Sequence, residues 1–136
     1  MIMVLALAAS IHAGAQSQSE EYLAAKRALH RGLTVKEWNT DARNKTRWMD
    51  HQTTYDAEGR KVEEIEYTQY GQKWRETYEY GENDRIVKEV VYNEKDKPSL
   101  IRKYEYNADG RKLRQYNYTP DGRLQTTKVF EYTIAQ

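Results

Sequence analysis

The glutamates Glu63, Glu64, Glu66, Glu76, Glu79, Glu89, Glu105 and Glu131 offer the first candidate chemistry. Two carboxylates in unequal surroundings can act as acid and base on a glycosidic bond. Here they alternate with Lys and Arg along extended stretches, so ion pairing between strands explains them more simply. His12, His30 and His51 fall in different segments, with no metal-ligand spacing. Asp56, Asp84, Asp96, Asp109 and Asp121 lie in turn-like stretches. A calcium loop needs several oxygen ligands in one short segment, and Asn107-Ala108-Asp109-Gly110 supplies too few. Asx-type turns are the simpler role. No nucleophile–base pair or phosphate loop can be found. The expectation is a non-enzymatic protein without catalytic residues, metal or cofactor.

Aromatic residues are the stronger binding candidates. Strand alternation places Trp74, Tyr78 and Tyr80 on one side of one segment, with Arg75, Thr77 and Glu79 opposite. Tyr104 and Tyr106 likewise share a side, opposite Lys103 and Glu105. Such a row can stack on sugar rings or receive an apolar peptide. The competing role, for these and for Trp38 and Trp48, is a minimal core beneath a helix. Arg60, Arg85, Arg111 and Arg123 recur just after turns, and nearby acids suit them for local pairing.

Composition narrows the partners. The 136 residues fit one domain, with 22 basic against 21 acidic side chains. That balance gives no pull toward nucleic acid or anionic lipid. Cysteine is absent, which excludes a disulfide framework, a thiolate zinc site, a cysteine nucleophile and an N-terminal lipid-bearing Cys. Met1 to Ala9 is apolar but too short to span a bilayer, and Ala13-Gly14-Ala15 is a small-x-small tripeptide. This is the layout of a signal peptide over residues 1–15, cleaved near Ala15, although no Lys or Arg precedes the apolar run. It predicts an exported protein, periplasmic or extracellular, that meets the membrane only through that signal.

These candidate residues need elements to position them. Residues 16–32 read as a helix, capped by Ser17 or Ser19, acidic at the start, basic at the end and stopped by Gly32. From Leu33 to Gln136 the pattern changes to short segments rich in Tyr, Val, Ile, Thr and Trp. Turn residues, with Gly59, Gly71, Gly110 and Gly122 the main ones, punctuate them every 12 to 14 residues. Eight strands are predicted: 33–39, 45–55, 61–70, 72–80, 85–92, 99–106, 111–118 and 124–133. Short connections make them sequential neighbours. The fold class is therefore all-β, a twisted antiparallel meander of about eight strands with one N-terminal α-helix. A four-residue loop at Asn107–Gly110 would pair Tyr106 with Arg111 and Tyr104 with Leu113. Tyr116 and Tyr118 then fall opposite Leu113, so either aromatics line both faces or a bulge resets the register.

The motif itself repeats. Tyr55-Asp56-Ala57-Glu58-Gly59-Arg60-Lys61-Val62, Tyr106-Asn107-Ala108-Asp109-Gly110-Arg111-Lys112-Leu113 and Tyr118-Thr119-Pro120-Asp121-Gly122-Arg123-Leu124 share one plan. Over Tyr55 to Tyr132 the chain resembles the YD repeats of Rhs-type proteins and teneurins, in a short exported bacterial form. Asp84 replaces the usual Gly after Tyr80, and Asn93–Lys97 has none. The resemblance implies a β-hairpin repeat and no shared catalytic residues. In the large proteins the repeats form a shell. Eight strands span only roughly 35–40 Å, too few to enclose a cargo. The expected function is a protein–protein interaction or structural module at the bacterial envelope. The expected partner is a protein bound at an open edge or aromatic face, with an edge-strand homodimer as one form. A carbohydrate-binding module and an immunity- or antitoxin-like protein are the alternatives.

Overall fold

The computed structural model describes residues 20–135. The signal peptide expected over residues 1–15 lies outside them. Residues 20–30 are helical. Eight strands follow: β1 (Thr34–Thr40), β2 (Arg47–Tyr55), β3 (Lys61–Thr68), β4 (Gly71–Tyr80), β5 (Ile86–Tyr92), β6 (Pro98–Tyr106), β7 (Lys112–Tyr118) and β8 (Leu124–Val129). They form one sheet in the order β1 to β8. The fold is an antiparallel meander with one helix. β8 ends at Val129, earlier than the expected 133; Phe130 N–H still donates to the Leu113 carbonyl at 3.1 Å.

The chain packs as two units: residues 20–33 with Tyr55–Arg60, and Thr34–Thr54 with residues 61–135. In the first, Gly32 ends the helix at φ +63° and donates to the Asp56 carbonyl at 2.8 Å. Tyr55 N–H reaches the Leu33 carbonyl at 2.9 Å, and the His30 and Tyr55 rings lie 4.5 Å apart. Gly59 has a double reason to be glycine. Its φ is +82°, and a Cβ there would collide with the Arg27 carbonyl.

The second unit is a single sheet layer. Ile65 and Tyr104 are its only buried apolar side chains among the described residues, joined by buried Thr53. Cross-strand pairs, rather than a thick core, must therefore carry its stability, at roughly 0.2–1 kcal/mol each.

One turn recurs. Asn93, Asn107 and Thr119 each donate N–H to the carbonyl four residues on and accept from the N–H three residues on. Asp56 does the same in the first unit. The first residue's side-chain oxygen then accepts from the N–H four residues on. The fourth residue is left-handed: Gly59, Asp96, Gly110 or Gly122. This is a type I turn closed by a left-handed residue. The closing oxygens of the later turns thus belong to Asn93, Asn107 and Thr119, not to the expected Asp96, Asp109 and Asp121.

A bulge follows the three later copies of this turn and also the two turns of other form. The ladders skip Lys73, Val87, Ser99, Leu113 and Gln125, each just inside the second strand of its hairpin. This corrects the expected register. Tyr106 pairs with Lys112 and Tyr104 with Gln115, because Leu113 is the unpaired extra residue. Tyr116 and Tyr118 pair with Lys103 and Ile101, on the face opposite Tyr104. Aromatics line both faces, and a bulge resets the register.

Candidate functional site

The ladders define two chemically different faces. Glu64 opposes Glu76 and Glu66 opposes Trp74. Tyr78 opposes Glu89, and Glu89 opposes Arg102. With Tyr80 beside Ile86 and Tyr106 beside Lys112, the expected set Trp74, Tyr78, Tyr80, Tyr104 and Tyr106 shares this first face.

The four tyrosine hydroxyls are occupied from within. Tyr78 hydroxyl donates to Glu64 at 2.5 Å, and Tyr104 donates to Glu89 at 2.8 Å. Tyr80 and Tyr106 donate to the carbonyls of Lys61 and Ile86 at 2.7 and 2.5 Å. Tyr132 repeats the contact on the Lys112 carbonyl at 2.7 Å. Tyr80, Tyr106 and Tyr132 stand 26 residues apart, so one tertiary contact recurs with the sequence motif. Cations cover the rings: Lys61 is 5.1 Å from the Tyr78 ring, Lys112 4.1 Å from Tyr104 and Arg85 5.7 Å from Tyr106.

Glu64 also meets the Lys61 ammonium at 2.9 Å and His51 at 3.5 Å, and His51 stands edge-on to Trp74. Arg102 bridges Glu76 at 3.1 Å and Glu89 at 3.2 Å. Burial pushes the Glu64 carboxyl up, but the Tyr78 hydroxyl, Lys61 and His51 bring it below its ordinary value. Glu76 goes the other way: burial and the neighbouring Glu89 carboxylate hold it above the usual range despite Arg102. Burial and their carboxylate acceptors push the Tyr78 and Tyr104 hydroxyls up, so both remain proton donors. None of the five aromatics is exposed, and Tyr104 is buried. This arrangement binds itself together.

The opposite face is more open. Arg75 lies 3.8 Å above the Tyr92 ring and pairs with Asp96 at 2.8 Å and Glu63 at 3.2 Å. Further along, Glu79, Lys88, Lys103 and Tyr116 stand opposite one another in a row across β4 to β7. With Glu105 and Tyr118 they line a groove of about 620 Å³. Alternation had placed Tyr116 and Tyr118 apart from Tyr104. Alternation alone does not disclose the groove, because Lys88 and Lys103 meet only through the bulged register.

The sheet has two edges. Every residue of β1 and of β8 is exposed, including Trp38, Leu124 and Val129. Arg47 lies over the Trp38 ring at 4.3 Å.

No protein-family model matches the chain, and no curated protein matches it. Among solved structures, the GtfA/B complex bound to UDP and GlcNAc is similar at 13% identity and a TM-score of 0.32, over 69% of this chain and 19% of that one. TarM is similar at 13% identity and 0.33, over 77% and 23%. A variant of S. aureus TarM in complex with Fondaparinux, alpha-GlcNAc-glycerol and UDP is similar at 14% identity and 0.31, over 76% and 23%. The chain spans about a fifth of the length of these proteins, and a likeness this slight carries no functional assignment.

Proposed function

We propose that the chain is a non-enzymatic, exported repeat protein of the bacterial envelope that binds protein partners by strand addition at its sheet edges. The observation that carries this is the full exposure of both edge strands, β1 and β8. An edge strand offers unpaired backbone N–H and C=O groups to an incoming extended segment. Exposed Trp38 on β1, and Leu124 and Val129 on β8, supply apolar contacts beside those groups. The YD-like hairpin repeat suits this use, since each hairpin already pairs with the next through the same backbone chemistry. Stacking of glycans on the Trp74, Tyr78 and Tyr104 face is less favoured, because those side chains are half-buried or buried and the Tyr78 and Tyr104 hydroxyls are engaged.

The test is capture from envelope extract by the purified protein and by two charge-blocked edge variants, Val35→Lys and Val129→Lys. Both positions are exposed, so the fold should persist. Saturable capture by the wild type, lost in one variant, supports strand addition. Capture that survives both substitutions, or none at all, sinks it.

A further inference from the structure

We propose that the groove beside Lys88 and Lys103 binds a compact hydroxylated monoanion of the sugar-acid class, its carboxylate held by the Lys103 ammonium. Lys88 and Lys103 stand directly opposite on β5 and β6. Like charges so placed destabilise a sheet. Lys88 has the Glu79 carboxylate at 3.7 Å. Lys103 is exposed, lies 5.4 Å from the Tyr118 ring and has no acidic partner among the described residues. Glu105, two residues along β6, is already engaged by Arg114 at 3.2 Å and by the Tyr116 hydroxyl at 2.8 Å. An incoming carboxylate would supply the acid that Lys103 lacks and accept a charge-assisted hydrogen bond from it.

The rest of the groove selects what carries that carboxylate. Its volume of about 620 Å³ suits a small molecule. The Tyr116 and Tyr118 rings offer flat apolar surface for a ring-shaped body. Glu79 and Glu105 on the lining can accept hydrogen bonds from hydroxyls. The same two carboxylates repel a second negative charge, which disfavours a phosphodiester chain or an acidic peptide. This site is independent of the edge strands and stands or falls without them.

The experiment is an amide chemical-shift titration of the full protein with sodium glucuronate, with glucose and triglutamate as comparison probes. Saturable shifts at Lys88, Lys103 and Tyr116 are expected with glucuronate. In Lys103→Gln, with an unchanged melting temperature as the folding control, affinity should fall about tenfold, as for one lost charge-assisted hydrogen bond. The proposal is overturned by the absence of saturable shifts, by equal affinity in Lys103→Gln, or by glucose or triglutamate binding as well as glucuronate.

Discussion

The two faces of the sheet use the same residue types to opposite ends. On the Tyr78–Tyr104 face, glutamate, tyrosine and arginine or lysine saturate one another, and burial strengthens the set. On the Lys88–Lys103 face, two lysines stand opposed beside an open groove, and one of them has no acidic partner among the described residues. A row of aromatics is therefore a poor guide to a binding surface in a one-layer sheet. Their rings and hydroxyls are needed where no second layer exists, and the opposite face and the edges are what that network leaves open.

The largest expected effect breaks this contrast at its buried centre. Tyr104→Ala removes a buried ring and the hydrogen bond to Glu89. It should cost about 3 kcal/mol in denaturant unfolding, against about 1 kcal/mol for Tyr118→Ala on the groove face. Equal losses would erase the distinction between the faces.

Gly110→Val strains the turn on which both faces depend. Its φ is +81°, and a Cβ there would strike the Arg85 guanidinium. A loss of about 2 kcal/mol is expected, and an unchanged melting temperature would reject the turn described.

Two carboxylates sharpen the comparison through pH. Glu76 is held above its unfolded value, so its contribution is present below that value and is lost as pH rises through the folded one. Glu64 is held below its unfolded value, so its contribution is present above that value and is lost as pH falls through the folded one. The stability of Glu76→Gln relative to wild type should therefore improve as pH rises from about 4 to 7. That of Glu64→Gln should worsen as pH rises from about 2 to 5. Parallel curves would contradict the two environments.

The smallest effect lies on the open face. Lys103→Glu turns a like-charge opposition into an attraction with Lys88 and gives up the Tyr118 ring contact. A net gain of about 0.5 kcal/mol is expected in thermal unfolding at low salt, shrinking as salt rises.

Much of this fold was legible in the sequence. Asp109-Gly110 and Asp121-Gly122 mark hairpins, Pro98 opens a strand where its missing N–H is harmless, and Tyr-x-Tyr segments alternate cleanly. The bulges at Val87, Leu113 and Gln125 were not legible, because they follow from turn closure rather than from the identity of the bulged residue. That one-residue reset decides which side chains share a face across strands, whereas alternation alone groups them within a strand. The Lys88–Lys103 groove depends on pairing between strands and was therefore not legible. Nor did alternation reveal that Tyr80 and Tyr106 spend their hydroxyls on distant carbonyls.

The closed face is tested most directly by a carboxyl-detected NMR titration of the glutamates. Glu76 should titrate above, and Glu64 below, an ordinary glutamate. If both titrate at the ordinary value, the Tyr78–Tyr104 face is not a saturated network and the division of labour between the faces fails.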